Sequence, residues 1–152
     1  MKFVTSLLIV VGLGLLSFML VRHWEQVFPE STAIVIQADC DLAAEACVSE
    51  LPGGGKIKLK LSPSPIVLMN PLYVDVTVRN SDLMPQYIDI TGLNMEMGLN
   101  RTGLDSIETG HWKGETILPI CSQRRMHWQL RLQLVKAEKR YHLNYEFFTQ
   151  GT

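Results

Sequence analysis

The stretch Lys56-Ile57-Lys58-Leu59-Lys60-Leu61 alternates strictly between a charged and an apolar residue. Because successive side chains of a β-strand point to opposite faces, this pattern predicts a strand with its lysines in solvent and its apolar residues in a core. Similar alternation recurs at 72–79, 126–135 and 141–147. Period-two patterning in several short segments predicts an all-β domain.

Turn residues separate these segments, among them Pro63, Pro65 and the triplet Asn80-Ser81-Asp82. The regular spacing predicts an immunoglobulin-like antiparallel β-sandwich of about seven strands. The strands are expected at 33–36, 56–61, 72–79, 86–97, 115–118, 126–135 and 141–147.

The N-terminal segment differs in character from the rest of the chain. Residues 3–21 carry no charge and are almost wholly apolar, which suffices for a helix of about 20 residues across a membrane. A cleavable signal peptide is the alternative. The run is longer than a usual signal core, and a polar, aromatic flank at 22–24 suits a membrane interface. We therefore expect an uncleaved anchor at 1–23, a linker at 24–31 and the β-sandwich at 32–152.

Three cysteines follow the anchor. Cys40 and Cys47 are close in sequence, and in an oxidising compartment they are expected to form a local disulfide. Cys121 is then left over, which indicates a reactive or metal-binding thiol or intermolecular pairing. The alternative is that all three are reduced, either merely buried or, for Cys40 and Cys47, serving as ligands themselves.

A cluster of soft sulfur side chains occupies the middle of the chain. Met95 and Met97 are two residues apart, so on a strand they share a face, and a neighbouring strand could bring Cys121 and Met126 to the same patch. Thioether and thiolate ligands select Cu(I) over harder ions. These four residues are the predicted metal ligands, and gap-filling in a core is the alternative reading of the methionines.

The parity of this strand is irregular, because Met95 and Met97 fall opposite in phase to Ile88 and Ile90. A bulge or bend at Gly92 would return the methionines to the core face, whereas without it they point outward.

Two histidines are additional candidate ligands. His111 lies beside Trp112 in an expected loop at 98–113. His127 follows Met126, and in a regular strand it faces the opposite way.

Several function classes are excluded by what the sequence lacks. The net charge is −1 and no basic patch is interleaved with aromatic residues, so a nucleic-acid partner is not expected. Gly53-Gly54-Gly55-Lys56 is similar to a phosphate loop, but Glu50 replaces its first glycine and Ile57 its hydroxyl residue, which favours a turn. No catalytic motif is present, so an enzyme is not expected.

Segments at 63–65, 70–72, 91–101, 110–115 and 118–128 carry a family resemblance. Their pattern resembles the FixH/YtkA-like group of membrane-anchored bacterial proteins linked to cytochrome oxidase assembly and copper handling. The resemblance implies a small β-sandwich held in the periplasm by a single inner-membrane helix. It also points to Met95, Met97, Cys121 and Met126, and the lack of histidine in the Met-x-Met segment favours Cu(I) over Cu(II).

The resulting hypothesis is a membrane-anchored periplasmic metallochaperone that holds or delivers Cu(I), with an oxidase subunit or a copper chaperone as its partner. The alternative is a non-metal interaction module, an accessory or assembly subunit of a membrane complex. In that case the segment 98–113, with Arg101, His111 and Trp112, is the expected contact.

Overall fold

The computed structural model describes residues 6, 12–15, 17–19, 21–22 and 33–150. Residues 1–32 and 33–152 form separate compact units. Among the described residues, no helix has the length and apolar character that a membrane span requires. The predicted anchor at 1–23 lies largely outside the described residues and the linker at 24–31 lies wholly outside them, so both stay predictions.

The second unit is a β-sandwich of two five-stranded sheets. The first sheet has the order β1-β10-β9-β5-β6, and the second has the order β2-β3-β4-β8-β7. All pairings are antiparallel except that of β1 with β10. The strands are β1 Ile34–Asp41, β2 Cys47–Glu50, β3 Lys56–Ser62, β4 Pro71–Arg79, β5 Met84–Gly92, β6 Asn100–Gly103, β7 Asp105–Glu108, β8 His111–Ile117, β9 Arg125–Lys136 and β10 Lys139–Gln150.

The strand order is immunoglobulin-like. Strands β3-β4-β8-β7 occupy the positions of the ABED sheet, and β5-β9-β10 occupy those of the CFG sheet. Strands β1, β2 and β6 extend the edges of the two sheets.

The expected number of strands was too low, because the described part of this unit contains ten. The missed strands β2, β6 and β7 have four residues each. Strands β6 and β7 also lack an apolar stripe, so pairing with longer neighbours places them. The expected loop at 98–113 is wrong, since it contains β6, β7 and the start of β8. The strand expected at 86–97 ends at Gly92.

The core lies between the two sheets and follows the alternation read from the sequence. On β3, Ile57, Leu59 and Leu61 are buried while the three lysines are exposed. The first sheet contributes its largest side chains from β9 and β10, including Trp128 and Phe147. Burying each large apolar side chain contributes about 1.5–3 kcal/mol, which holds the two sheets together.

The disulfide between Cys40 and Cys47 is confirmed, with their Cα atoms 6.0 Å apart. Cys40 lies on β1, at the edge of the first sheet, and Cys47 begins β2, at the edge of the second. The bond therefore joins the two sheets as well as closing a short loop. Such a crosslink contributes about 2–3 kcal/mol in the chain-entropy model.

Tyr145 is a polar side chain inside this core. Its hydroxyl lies 3.3 Å from the Ser49 hydroxyl, which connects β10 of the first sheet to β2 of the second. Burial raises the pKa of Tyr145 to about 12, and the contact with Ser49 only partly opposes that rise. The folded protein therefore keeps this phenol neutral well above the ordinary tyrosine range.

We expect Tyr145 to make folding stability fall at high pH. The unfolded chain ionises this group near pH ~10, so its contribution is complete below that pH and is lost as the pH rises towards 12. The loss amounts to roughly 2–3 kcal/mol. At pH ~11, midway between the unfolded and folded pKa values, about half of this loss (~1.4 kcal/mol) has occurred, and comparing urea unfolding at pH ~8 and pH ~11 measures that half. Tyr145→Phe should show a smaller fall than the parent chain, whereas Tyr73→Phe, at an exposed tyrosine, should leave it unchanged. Equal falls in all three chains would contradict the assignment.

Candidate metal centre

The chain bends sharply after Gly92, the last residue of β5. The Leu93 N–H donates to the carbonyl of His127 at 2.8 Å. The Asn94 side chain donates to the carbonyl of Arg125 at 2.9 Å and accepts from the His127 N–H at 3.0 Å. These bonds fasten the bend to the start of β9, so the following methionines return towards the end of the sandwich.

The side chains of Met97 and Met126 both lie against Gly92. A Cβ atom built on Gly92 would lie 3.0 Å from Met126 Cε and 3.3 Å from Met97 Cγ. It would also lie 2.3 Å from the carbonyl oxygen of Met95. Because glycine has no side chain, this segment can close over the end of β5 with both thioether side chains beside it.

The four predicted sulfur ligands differ in exposure. Met126 is fully buried, whereas Met95, Met97 and Cys121 are half-buried and pack against the core. A buried thioether with half-buried sulfur side chains nearby suits a metal site in which the core holds one ligand in place and the solvent side is open to ligand exchange.

Cys121 follows β8 in a segment that runs beside the methionines. The adjacent Ser122 hydroxyl donates to the Met95 sulfur at 3.9 Å, and the Cys121 thiol donates to the Gln123 carbonyl at 3.8 Å. The structure therefore brings Met97 to Met126 through Gly92, and brings Met95 to the residue next to Cys121.

His127 points away from this group. Its Nε2 lies 2.8 Å from Glu146 Oε2, and its ring stacks on Phe148 with centroids 4.3 Å apart. The residue before it, Met126, points into the core. His127 is thus on the outer face of the first sheet.

His111 is also separate from the sulfur side chains. It begins β8, where its Nε2 lies 2.9 Å from Asp75 Oδ2 and its Nδ1 lies 3.4 Å from Glu108 Oε1. The methionine segment lies near the other end of β8, because the Asn100 side chain donates to the Ile117 carbonyl at 2.9 Å. Strand rise places those two ends about 20 Å apart, so His111 does not join the group.

The described residues contain no alternative metal site built from His, Cys, Asp and Glu side chains. There, no group of three or more His, Cys, Asp and Glu side chains converges on a point that could hold a metal ion. Sequence reasoning did not identify Asn94 and Ser122, which position the methionines, since neither belongs to a recognisable motif.

No family model matches the chain, and neither a curated protein nor a solved structure matches it. The resemblance to the FixH/YtkA-like group accordingly stays a prediction from the motifs.

Proposed function

We propose that this protein is a membrane-anchored, extracytoplasmic protein that holds or delivers Cu(I), in the assembly of a cytochrome oxidase. The observation that carries the proposal is the approach of Met97 and Met126 to one point at Gly92, with Met95 and the Cys121 segment alongside. Thioethers and a thiolate are the ligand types that favour Cu(I).

The ligand chemistry suits transfer of the ion. Thioethers do not titrate, so protons do not compete for them, whereas Cys121 would bind as thiolate and release a proton. Affinity should therefore rise with pH through Cys121 alone. The half-buried positions of Met95, Met97 and Cys121 leave an approach for a donor or acceptor of the ion.

Two features support the cellular location. The disulfide between Cys40 and Cys47 is of the kind found in oxidising compartments such as the bacterial periplasm. The apolar run at 3–21 supports an anchor in the inner membrane. A copper chaperone or an oxidase subunit would be the partner.

An anaerobic Cu(I) titration of the full chain in a non-ionic detergent, against a chromophoric competitor, tests the proposal. We expect one tight equivalent, and we expect Cys121→Ser and Met97→Leu each to weaken it by at least about tenfold, since loss of a ligand should cost no less than loss of a supporting group. Circular dichroism should show that both variants remain folded.

Met84→Leu is the matched control, because Met84 is exposed at the opposite end of β5. It should bind Cu(I) like the parent chain. If Cys121→Ser and Met97→Leu bind with unchanged affinity, or if the parent chain does not compete at all, the copper proposal is rejected.

The second candidate function is a non-metal interaction module. Four apolar side chains, each about half exposed or more, lie near the same end of the sandwich: Met69, Leu99, Ile117 and Ile120. Hydrogen bonds from Met69 N–H to Leu118 and from Asn100 to Ile117 tie their segments together. Exposed apolar clusters of this kind are typical of protein contacts.

Two of the three contact residues expected from the sequence, Arg101 and His111, are less suited to that role. Arg101 is held by both carboxylate oxygens of Asp89, at 2.7 and 2.9 Å, and His111 is held by Asp75. Replacing all four sulfur side chains distinguishes the two functions in cells. If a folded variant that lacks all four sulfur side chains still supports cytochrome oxidase assembly in cells, the interaction module is favoured.

A further inference from the structure

The outer face of the second sheet carries a group of cations, which we call the basic face and define as Lys56, Lys58, Lys60 and Arg79. The β3–β4 register places Lys56 directly opposite Arg79 and Lys58 directly opposite Thr77. Their neighbours along the strands, including Ile57 and Val78, are buried in the core, so these polar side chains point outward.

Like charges directly opposite each other on a sheet are destabilising. Throughout the described residues, none of the four basic-face cations forms an ion pair. The nearby Asp75 carboxylate lies 2.9 Å from His111 and 3.8 Å from Lys113. Two carboxylates are register partners of these cations, Glu50 opposite Lys56 and Asp75 opposite Lys60, so positive charge on this face still exceeds negative charge and an external anion could balance it.

The glycine turn before β3 packs against the end of β4 and so helps to bring Lys56 and Arg79 together. Gly53, Gly54 and Gly55 all have positive φ angles, of 84°, 97° and 91°. A Cβ atom on Gly55 would lie 2.4 Å from the Asn80 carbonyl oxygen and 2.6 Å from that of Arg79. Only glycine lets this turn pack directly on the end of β4, next to Lys56.

Two neighbouring depressions share Lys56 and Arg79. One, of about 370 Å³, is lined by Val48, Lys56, Lys58, Thr77 and Arg79. The other, of about 440 Å³, lies over the glycine turn and is lined by Glu50 and Asn80 as well as by the two cations. Lys56 and Arg79 thus line a concave part of the surface.

We propose that the first depression, whose lining includes no carboxylate, binds a phosphate group, with Arg79 as its fork-shaped hydrogen-bond donor and Lys56 and Lys58 as point charges. Guanidinium and ammonium groups recognise phosphate in this way, and Thr77 adds a hydroxyl donor. A strand, not a helix, follows the glycine turn, so this is not a nucleotide loop. The phosphate could belong to a soluble ion or to a lipid headgroup, and the site is independent of the sulfur ligands.

Lysine acylation followed by mass spectrometry tests the proposal on the full chain. In a non-ionic detergent, inorganic pyrophosphate should slow acylation of Lys56 and Lys58 severalfold more than sodium chloride of the same ionic strength. Lys139, exposed on the first sheet, should be unaffected. A second arm compares the chain reconstituted in phosphatidylcholine vesicles with and without phosphatidylglycerol. Protection that requires phosphatidylglycerol identifies the lipid headgroup as the source, and protection by pyrophosphate without any protection on phosphatidylglycerol vesicles identifies a soluble phosphate.

Arg79→Gln should abolish the protection, whereas Arg140→Gln, at an exposed arginine of the first sheet, should retain it. The proposal is overturned by equal protection of Lys139, by full protection in Arg79→Gln, or by no protection in either arm.

Discussion

Gly92→Ala should both weaken Cu(I) binding and destabilise the fold. The new methyl group would meet the Met95 carbonyl oxygen at 2.3 Å, which is backbone and cannot rotate away. The bend would have to move, and with it Met97, whose Cγ lies 3.3 Å from the same point. Overpacking of this kind costs roughly 1–3 kcal/mol. Cu(I) affinity should fall by at least about tenfold, as expected when a supporting group is displaced.

Gly103→Ala is the matched control for that variant. Gly103 also lies at the end of a strand of the first sheet, but a Cβ atom there would meet nothing within 4 Å. Urea unfolding and the competitive Cu(I) titration should give values close to those of the parent chain for this control. Parent-like stability and affinity in Gly92→Ala would show that the approach of the methionines to Gly92 is unimportant.

Trp128→Ala should cause the largest loss of stability, about 3–5 kcal/mol, as for other buried aromatic truncations. Trp128 is 1% exposed and lies opposite Gly92 in the pairing of β5 with β9. Its indole N–H donates to the Thr149 hydroxyl at 2.9 Å. The substitution therefore leaves a cavity between the sheets and removes the partner of a buried hydroxyl.

The denaturation midpoint in urea measures this loss, and Phe148→Ala is the control. Phe148 is also aromatic and lies on β10 next to Thr149, but it is 39% exposed and packs on the outer face against His127. Its truncation should cost clearly less than that of Trp128. Equal losses in the two variants would contradict the placement of Trp128 in the main core.

The long strands were predictable because their alternation reports burial directly. On β3 and β4 every second side chain enters the core, so local pattern and tertiary environment agree. The short strands were not predictable in this way. Strand β7 is exposed along its whole length and, among the described strands, pairs only with β8, so its identity comes from a neighbour and not from its own residues.

The candidate metal site was predictable in composition but not in arrangement. Soft ligands can be recognised by residue type, and a bend at Gly92 was one of two alternatives that strand parity left open. The sequence offered no means of placing His111 at the opposite end of β8, since the expected loop would have allowed it to reach the methionines. Its strand register excludes that approach.

The amino-acid sequence was sufficient to predict a two-sided β fold and the pairing of Cys40 with Cys47, because burial alternation and short loop closure are local properties. The approach of Met97 to Met126 and of Lys56 to Arg79 depended on the folded chain. Each of these pairs joins residues far apart in sequence, and only strand register and the close packing allowed by Gly92 and Gly55 bring them together.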